Sequence, residues 1–447
     1  MNRKKRTQEE QKEFEKKLLL MAEESKKRVP MGTGSHFGYD TNFFSHSPLN
    51  FVDANITLLP YGETKEELKH MYAISEVMRL GCNAKSELSL NTIVRKIISE
   101  ETSINLDDYK LYTSASGARG AMLKIFEKVV SEEKPFVLFS SPNWAFDRII
   151  SNMGISGMSF HATDADSFVE RIQLLKDLDK ISSVILVDPA NPLGYRFKQE
   201  HIEAIESLAS KYGFVPIFDD VFRGLQKKGE RHSSSEYSRK SIIIETTSKR
   251  YGERGLGITW TLVPKNIAST LKPELSIGCD GCESIASVVI NALSQTGYDQ
   301  KINTFLTMNS QAFKRGYEEH IGEFKEIGEL TQPFEGSPIM LYRLKDKTSE
   351  SIAGMISTSD IISASSGVDW IMHPDEKKDK QFDYEKEFGR TYIRICPTKE
   401  TSDRAYIAGT FLARFIINAH MKPIVVVPEE NHTTPSQDIP DTDKNRI

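Results

Sequence analysis

Four cysteines in 447 residues are too few to staple a chain of this size with disulfides, and they suit a reducing cytoplasm. Cys279 and Cys282 form a Cys-x-x-Cys pair, but neither a second pair nor a histidine cluster stands ready to complete four zinc ligands, so no metal site is expected. Long apolar runs are missing too. The only one in the N-terminal segment, Leu18 to Ala22, is too short for a secretory leader or a membrane span. A net charge of −5 has little excess of either sign, which argues against a nucleic-acid or membrane partner. No internal repeat is visible, and no low-complexity linker divides the middle of the chain. What remains is ordinary: 38% hydrophobic and 27% charged residues, a soluble composition with ample chain for a large core.

The organisation follows from pattern. Residues 1–30 read as a charge-laced arm, and residues 425–447, polar and rich in proline, as a disordered tail. Between them, short β-rich runs alternate with helical stretches. Strands are expected at 136–141, 183–189, 214–220, 241–247 and 257–263, and a helix at 198–213 that stops on Gly213. Continuous apolar strands separated by helices predict an α/β fold whose mostly parallel sheet is covered on both faces. That large domain is assigned to 76–310. A smaller α+β domain is expected over 311–424, with strands at 338–344 and 391–397, and the segment 31–75 is expected to join it.

Five segments carry the chemistry. SASGARGAML (114–123) is a small-residue turn entering a helix, where backbone N–H groups and the helix dipole favour phosphate. The amides of Ala118 and Arg119 are its candidates, and Gly117 permits close approach. In SSPNWAFDR (140–148), Trp144 is either a stacking face for a flat heteroaromatic ring or a core residue. In VDPANPLGYRF (187–197), Asn191 stands between prolines, as a fixed amide donor or a turn former. PIFDDVFRG (216–224) ends an apolar strand on Asp219, a carboxylate suited to hold a pyridine nitrogen protonated. The bland reading there is a cap or turn aspartate, a role better matched by Asp220. Finally, IIIETTSKRYGERGLGITW (242–260) places Lys249 after a strand in a Ser/Thr/Gly-rich stretch, and lysine is the residue that forms Schiff bases. Asn191, Asp219 and Lys249 each follow a strand at about the 30-residue spacing of one strand–helix repeat. Ligands bind outside the carboxyl ends of such strands, so the three converge on one crevice.

With these segments in order, the chain resembles the class I/II aminotransferases, pyridoxal-phosphate (PLP) fold type I. PANPLG is similar to that family's N-P-x-N-P-x-G loop, FDDVF to its D-x-x-Y segment, and TTSKRYGERGLGITW to its S-K-x-x-G-x-x-G-x-R-x-G segment. The resemblance implies that Lys249 forms the aldimine with pyridoxal 5'-phosphate, flanked by Ser248. It further implies that Asp219 meets the pyridine nitrogen and Asn191 the phenolic oxygen. TYIRI supplies Arg394 which, with Asn191, clamps a substrate α-carboxylate. Tyr72 lies where the family has a tyrosine reaching the neighbouring subunit's phosphate, which implies a homodimer. Two departures stand out: Phe222 replaces the tyrosine that donates to the phenolic oxygen, and Gly257 replaces the phosphate-binding arginine, leaving Arg254, Arg250 or Arg119 as its cation.

The implied activity is amino-group transfer between an α-amino acid and a keto acid in the cytoplasm. DDVFRG and LNFVDANITLLPYG (49–62) also resemble the PLP-dependent arginine oxidases and hydroxylases, although Asn55 stands where those carry a histidine. The alternative is therefore an oxidase, cyclase or eliminase of specialised amino-acid metabolism. A third reading is a cofactor-binding or degenerate regulatory protein without turnover; fused regulators of this fold carry a DNA-binding domain ahead of it, and the short N-terminal arm leaves no room for a winged helix.

Overall fold

The apolar runs that punctuate the middle of the chain assemble into one seven-stranded sheet. Its strands are β1 (Tyr109–Ser114), β2 (Phe136–Ser141), β3 (Ser156–His161), β4 (Ile181–Val187), β5 (Val215–Asp219), β6 (Ile242–Thr246) and β7 (Thr259–Pro264). They lie in the order β1-β7-β6-β5-β4-β2-β3. The run from β6 to β3 is parallel, and β7 alone runs against both its neighbours. The computed structural model describes Glu67, His70 and residues 89–143, 146–151, 153–227, 229, 231–252, 257–276, 283–345, 365–366, 392–397 and 402–421.

Successive strand residues face opposite sides of a sheet, and the two faces bury different cores. Val184, Leu186, Phe218 and Ile243 join one core with helices α1 (Leu90–Glu101), α4 (Ala165–Leu174), α5 (Gln199–Tyr212) and α8 (Glu283–Gln295). Ile185, Val187, Ile217 and Ile244 join the other with α2 (Gly117–Val129), α3 (Phe146–Ser151) and α7 (Lys265–Ser276). All seven residues of β4 are buried, as a strand covered on both faces requires. Helix α5 ends as its sequence demands, on Gly213 in the left-handed conformation (φ 73).

Two strands of the large sheet were not among those expected. Both are edges. β1 (YKLYTS) and β3 (SGMSFH) bury only part of their length, so their sequences lack the continuous apolar signature of the central strands.

A second core gathers around a four-stranded antiparallel sheet, ordered β10-β11-β9-β8. Its strands are β8 (Gly328–Thr331), β9 (Met340–Leu344), β10 (Ser365–Ser366) and β11 (Tyr392–Ile395), backed by α10 (Ser402–Met421). Helix α9 (Tyr298–Ile321) belongs to both cores. Tyr298, Ile302 and Leu306 pack under the large sheet, whereas Ala312, Phe313, Tyr317 and Ile321 pack under the small one. Helices α9 and α10 meet at paired glycines: a Cβ on Gly316 would lie 2.0 Å from the Tyr406 carbonyl oxygen, and one on Gly409 would lie 2.0 Å from that of Phe313. Among the described residues, no helix is long and apolar enough to cross a membrane, and no group of histidine, cysteine and carboxylate side chains is arranged to hold a metal.

Candidate active site

Strand direction places the chemistry. The carboxyl ends of β1, β4, β5 and β6 share one rim of the large sheet with the start of β7, because Thr259 is paired with both Ser114 and Thr246. Asp219 is paired with Val187 of β4 and lies level with Ile244 of β6.

From β1, the chain turns through Ser114 and Ser116, whose hydroxyls are 3.1 Å apart, into the N-terminus of α2. Gly117 takes a φ of 68 and donates its N–H to the Gly257 carbonyl at 2.7 Å. Ala118 and Arg119 follow in the first turn of α2, both half-buried. The phosphate turn and the stretch after Lys249 are thus tied together by one backbone hydrogen bond.

From β4, the loop closes on itself: the Gly194 N–H donates to Ala190 at 2.6 Å, and that of Ala190 to Tyr195 at 2.9 Å. Asn191 is held inside it, 5% exposed, and its Oδ1 is buried with no hydrogen-bond partner. Asp219, the last residue of β5, is 7% exposed, and its Oδ1 is likewise unpartnered. Burial pushes the Asp219 carboxyl up to about 7, assisted by neighbouring Asp220 and opposed by the Val221 amide and the Lys249 ammonium. From β6, the chain enters the single turn α6 (Thr247–Arg250), capped by Thr246, whose hydroxyl accepts the Ser248 N–H. Thr247 is buried and fixed by its N–H to Ile258 at 3.0 Å, while Ser248 and Lys249 are half-buried. The charge of Lys249 acts on Asp219. Three of the sequence-derived residues, Asn191, Asp219 and Lys249, therefore occupy adjacent strand ends.

Phe222 is 4% exposed and packs in the core that contains Leu225, Tyr251 and Trp260. Arg394 is buried on β11, in the smaller sheet, opposite Leu341 of β9 and Ser365 of β10. Tyr72, Trp144 and Arg254, together with Asn55, Cys279 and Cys282, lie outside the described residues.

One expectation needs correcting. Arg250 does not serve as a phosphate cation, because its guanidinium is buried against Glu245 (2.6 and 2.9 Å) and Glu101 (2.8 and 3.0 Å). Asp220 opens a turn closed by the Arg223 N–H on its carbonyl at 3.2 Å, and its carboxylate is buried, 3.1 Å from Arg223 and 2.8 Å from the Ser235 hydroxyl. Sequence reading missed Asp188 as well. This carboxyl is buried beside Arg196 (3.5 Å) and the Ser234 amide (3.1 Å), and burial pushes it up to about 7. The signal available was an aspartate directly after an apolar strand, at the position where the resembling loop has its first asparagine.

A family model described as aminotransferase class I and II matches residues 86–363, more than half of the 447. Among curated proteins, the valine–pyruvate aminotransferase of Mycobacterium tuberculosis is 28% identical over 132 residues, which is 29% of this chain and 34% of that protein. The aspartate aminotransferase of Geobacillus stearothermophilus is 23% identical over 178 residues, 38% of this chain and 45% of that protein. The chain thus matches between a third and a half of the length of these relatives. Among solved structures, the multiple substrate aminotransferase of Thermococcus profundus superimposes with a TM-score of 0.66 at 15% identity, covering 88% of this chain and 97% of that one. That likeness speaks for the fold, PLP fold type I, and the sequence match speaks for descent. By both, the chain belongs to the aminotransferase class I and II family.

Proposed function

We propose that this protein is a PLP-dependent aminotransferase acting on an α-amino acid, with a keto acid as the partner substrate. The observation that carries the reading is Asp219: a buried carboxylate with an unpartnered oxygen, on the same rim as Lys249 and within its field. A buried acceptor with no protein donor fits a protonated ring nitrogen. Asn191, with its own unpartnered amide oxygen, stands one strand away.

When bound, pyridoxal phosphate supplies a carbonyl that bonds amines and a ring that accepts the electron pair left by a departing α-proton. The protein residues do the rest. Lys249 Nζ would hold the cofactor at rest and, once free, its amine would take the proton from the substrate α-carbon and pass it to the carbon of the cofactor carbonyl. Asp219 holds the proton on the ring nitrogen. Asn191 donates to the phenolic oxygen, without the second donor that a tyrosine at Phe222 would add. The amides of Ala118 and Arg119, assisted by Gly117, Ser248, Arg254 and the dipole of α2, hold the phosphate. Trp144 covers the ring face. Arg394 and Asn191 would hold and orient the substrate α-carboxylate. Tyr72 reaches the phosphate of a second copy, so the working unit is a homodimer, and the low cysteine content favours the cytoplasm.

An absorbance spectrum of the purified protein tests this. A band near the visible edge that borohydride fixes onto Lys249, and that amino acids bleach in the absence of acceptor, is expected. Lys249→Ala is expected to lose the fixed band and all turnover; a Lys249→Ala protein at full rate would sink the proposal. Oxygen uptake without keto acid would instead establish the oxidase reading.

A further inference from the structure

Beneath the rim lies a buried ion network that the proposed chemistry does not use. Its hub is Glu245, the penultimate residue of β6, 1% exposed. Oε1 accepts Nε and Nη2 of Arg250 at 2.9 and 2.6 Å, and Oε2 accepts Nη2 of Arg223 at 2.5 Å and the indole N–H of Trp260 at 3.2 Å. Four donors saturate one carboxylate. The groups facing Glu245 are thus Arg250 from α6, Arg223 from the turn after β5 and Trp260 from β7. Beyond them stand Asp220, paired with Arg223, and Glu101 of α1, paired with Arg250 and Arg231; Arg231 also pairs with Asp299 of α9. Burial alone would raise the Glu245 carboxyl, but Arg250 and Arg223 override it and hold it down at about 2.

The placement of this network in the chain is informative. Asp220 follows Asp219, and Arg250 follows Lys249. A continuous path, Asp220 to Arg223 to Glu245 to Arg250, therefore links the residue after the ring-binding carboxylate to the residue after the amine. β5 and β6 are already paired at Asp219 and Ile244, so the two strand ends are tied twice, once by the ladder and once by the ions. Stability alone is a poor reason for such a design, since apolar side chains of similar volume are often as stabilising as a buried ion set. The three residues that precede Glu245 on β6 are isoleucines, which shows that the strand accepts them.

We infer that Glu245 is a positioning residue: acting through Arg250 and Arg223, it fixes the reach of the Lys249 amine relative to Asp219. This rests on the roles proposed above for Lys249 and Asp219. Without the hub, two guanidinium groups lose their shared counter-charge beside the Lys249 turn. The amine then shifts in position and in its hold on a proton.

The test uses the cofactor-loaded full chain and three readouts: the pH midpoint of the visible band, the fraction of cofactor fixed by borohydride as seen by intact mass, and thermal stability. For Glu245→Gln we expect retained cofactor affinity, a band midpoint moved by about one pH unit or more, and a lower fixed fraction at neutral pH. Glu101→Gln, on the outer arm, should lower the melting temperature and leave the midpoint in place. A wild-type midpoint in Glu245→Gln overturns the inference, as does an equal shift in Glu101→Gln. Should Glu245→Gln fail to fold, Arg223→Lys keeps the charge and loses the bond; its midpoint must also move, and an unmoved one overturns the inference. A wild-type chain with no visible band takes down the cofactor reading and this one together, whereas a normal wild-type band with an unaltered Glu245→Gln takes down this one alone.

Discussion

At Gly257 the backbone is left-handed, with φ +59, and an added Cβ would stand 3.2 Å from the Ala115 carbonyl oxygen. The family's phosphate-binding arginine therefore cannot be restored here by a point change alone. Gly257→Arg is expected to cost about 1–3 kcal/mol of stability and to leave affinity for pyridoxal phosphate no tighter; urea denaturation and a cofactor titration check the two halves. The placement of Asn191, Asp219 and Lys249 was legible because each lies at or shortly after the end of an apolar strand, next to turn-forming residues. Glu245 was not. Its partner Arg250 also contacts Glu101, 149 residues away, and a pairing made by three-dimensional convergence leaves no local spacing to read. For Asp220 the turn was legible, but nothing near it in sequence announces the Ser235 hydroxyl that donates to its carboxylate.

Among the elements, the central strands β2, β4, β5 and β6 were readable because burial on both faces forces continuous apolar runs. The reversal of β7 was not, since direction is set by strand connection and a short apolar run looks alike either way. Helices α9 and α10 depend on a contact that composition barely hints at. Gly316 and Gly409 each admit the other helix's backbone, so a methyl group at either position must push the two helices apart. Gly409→Ala is expected to destabilise the chain by about 3 kcal/mol, the upper range for overpacking, because what it meets is a backbone carbonyl and not a side chain able to turn away. A denaturation midpoint unchanged from wild type would refute this.

For the molecule as a whole, the buried carboxyls set a pH dependence. Asp188 and Asp219 are raised by burial to about 7, and Asp220 to about 6, from 3.8. A raised carboxyl binds more protons folded than unfolded, so its contribution to stability is full below pH 3.8 and is lost as pH climbs through 6 to 7. Glu245, lowered from 4.5 to about 2, works oppositely, its contribution present above 4.5 and lost as pH falls through 2. The cofactor-free protein is therefore expected to resist urea better at pH 5 than at pH 7.5. Asp219→Asn should flatten part of that slope, and a wild-type slope in Asp219→Asn would contradict the assignment.

One further consequence belongs to helix α9, whose first half is buried with Ile302 and Leu306 and whose second is buried with Phe313 and Tyr317. A chain severed near its middle would leave each fragment half a helix without the core that shelters it. Neither the rim of the large sheet nor the small antiparallel sheet is then expressible as an independent fragment, and gene-level dissection of this chain has to keep residues 298 to 321 whole.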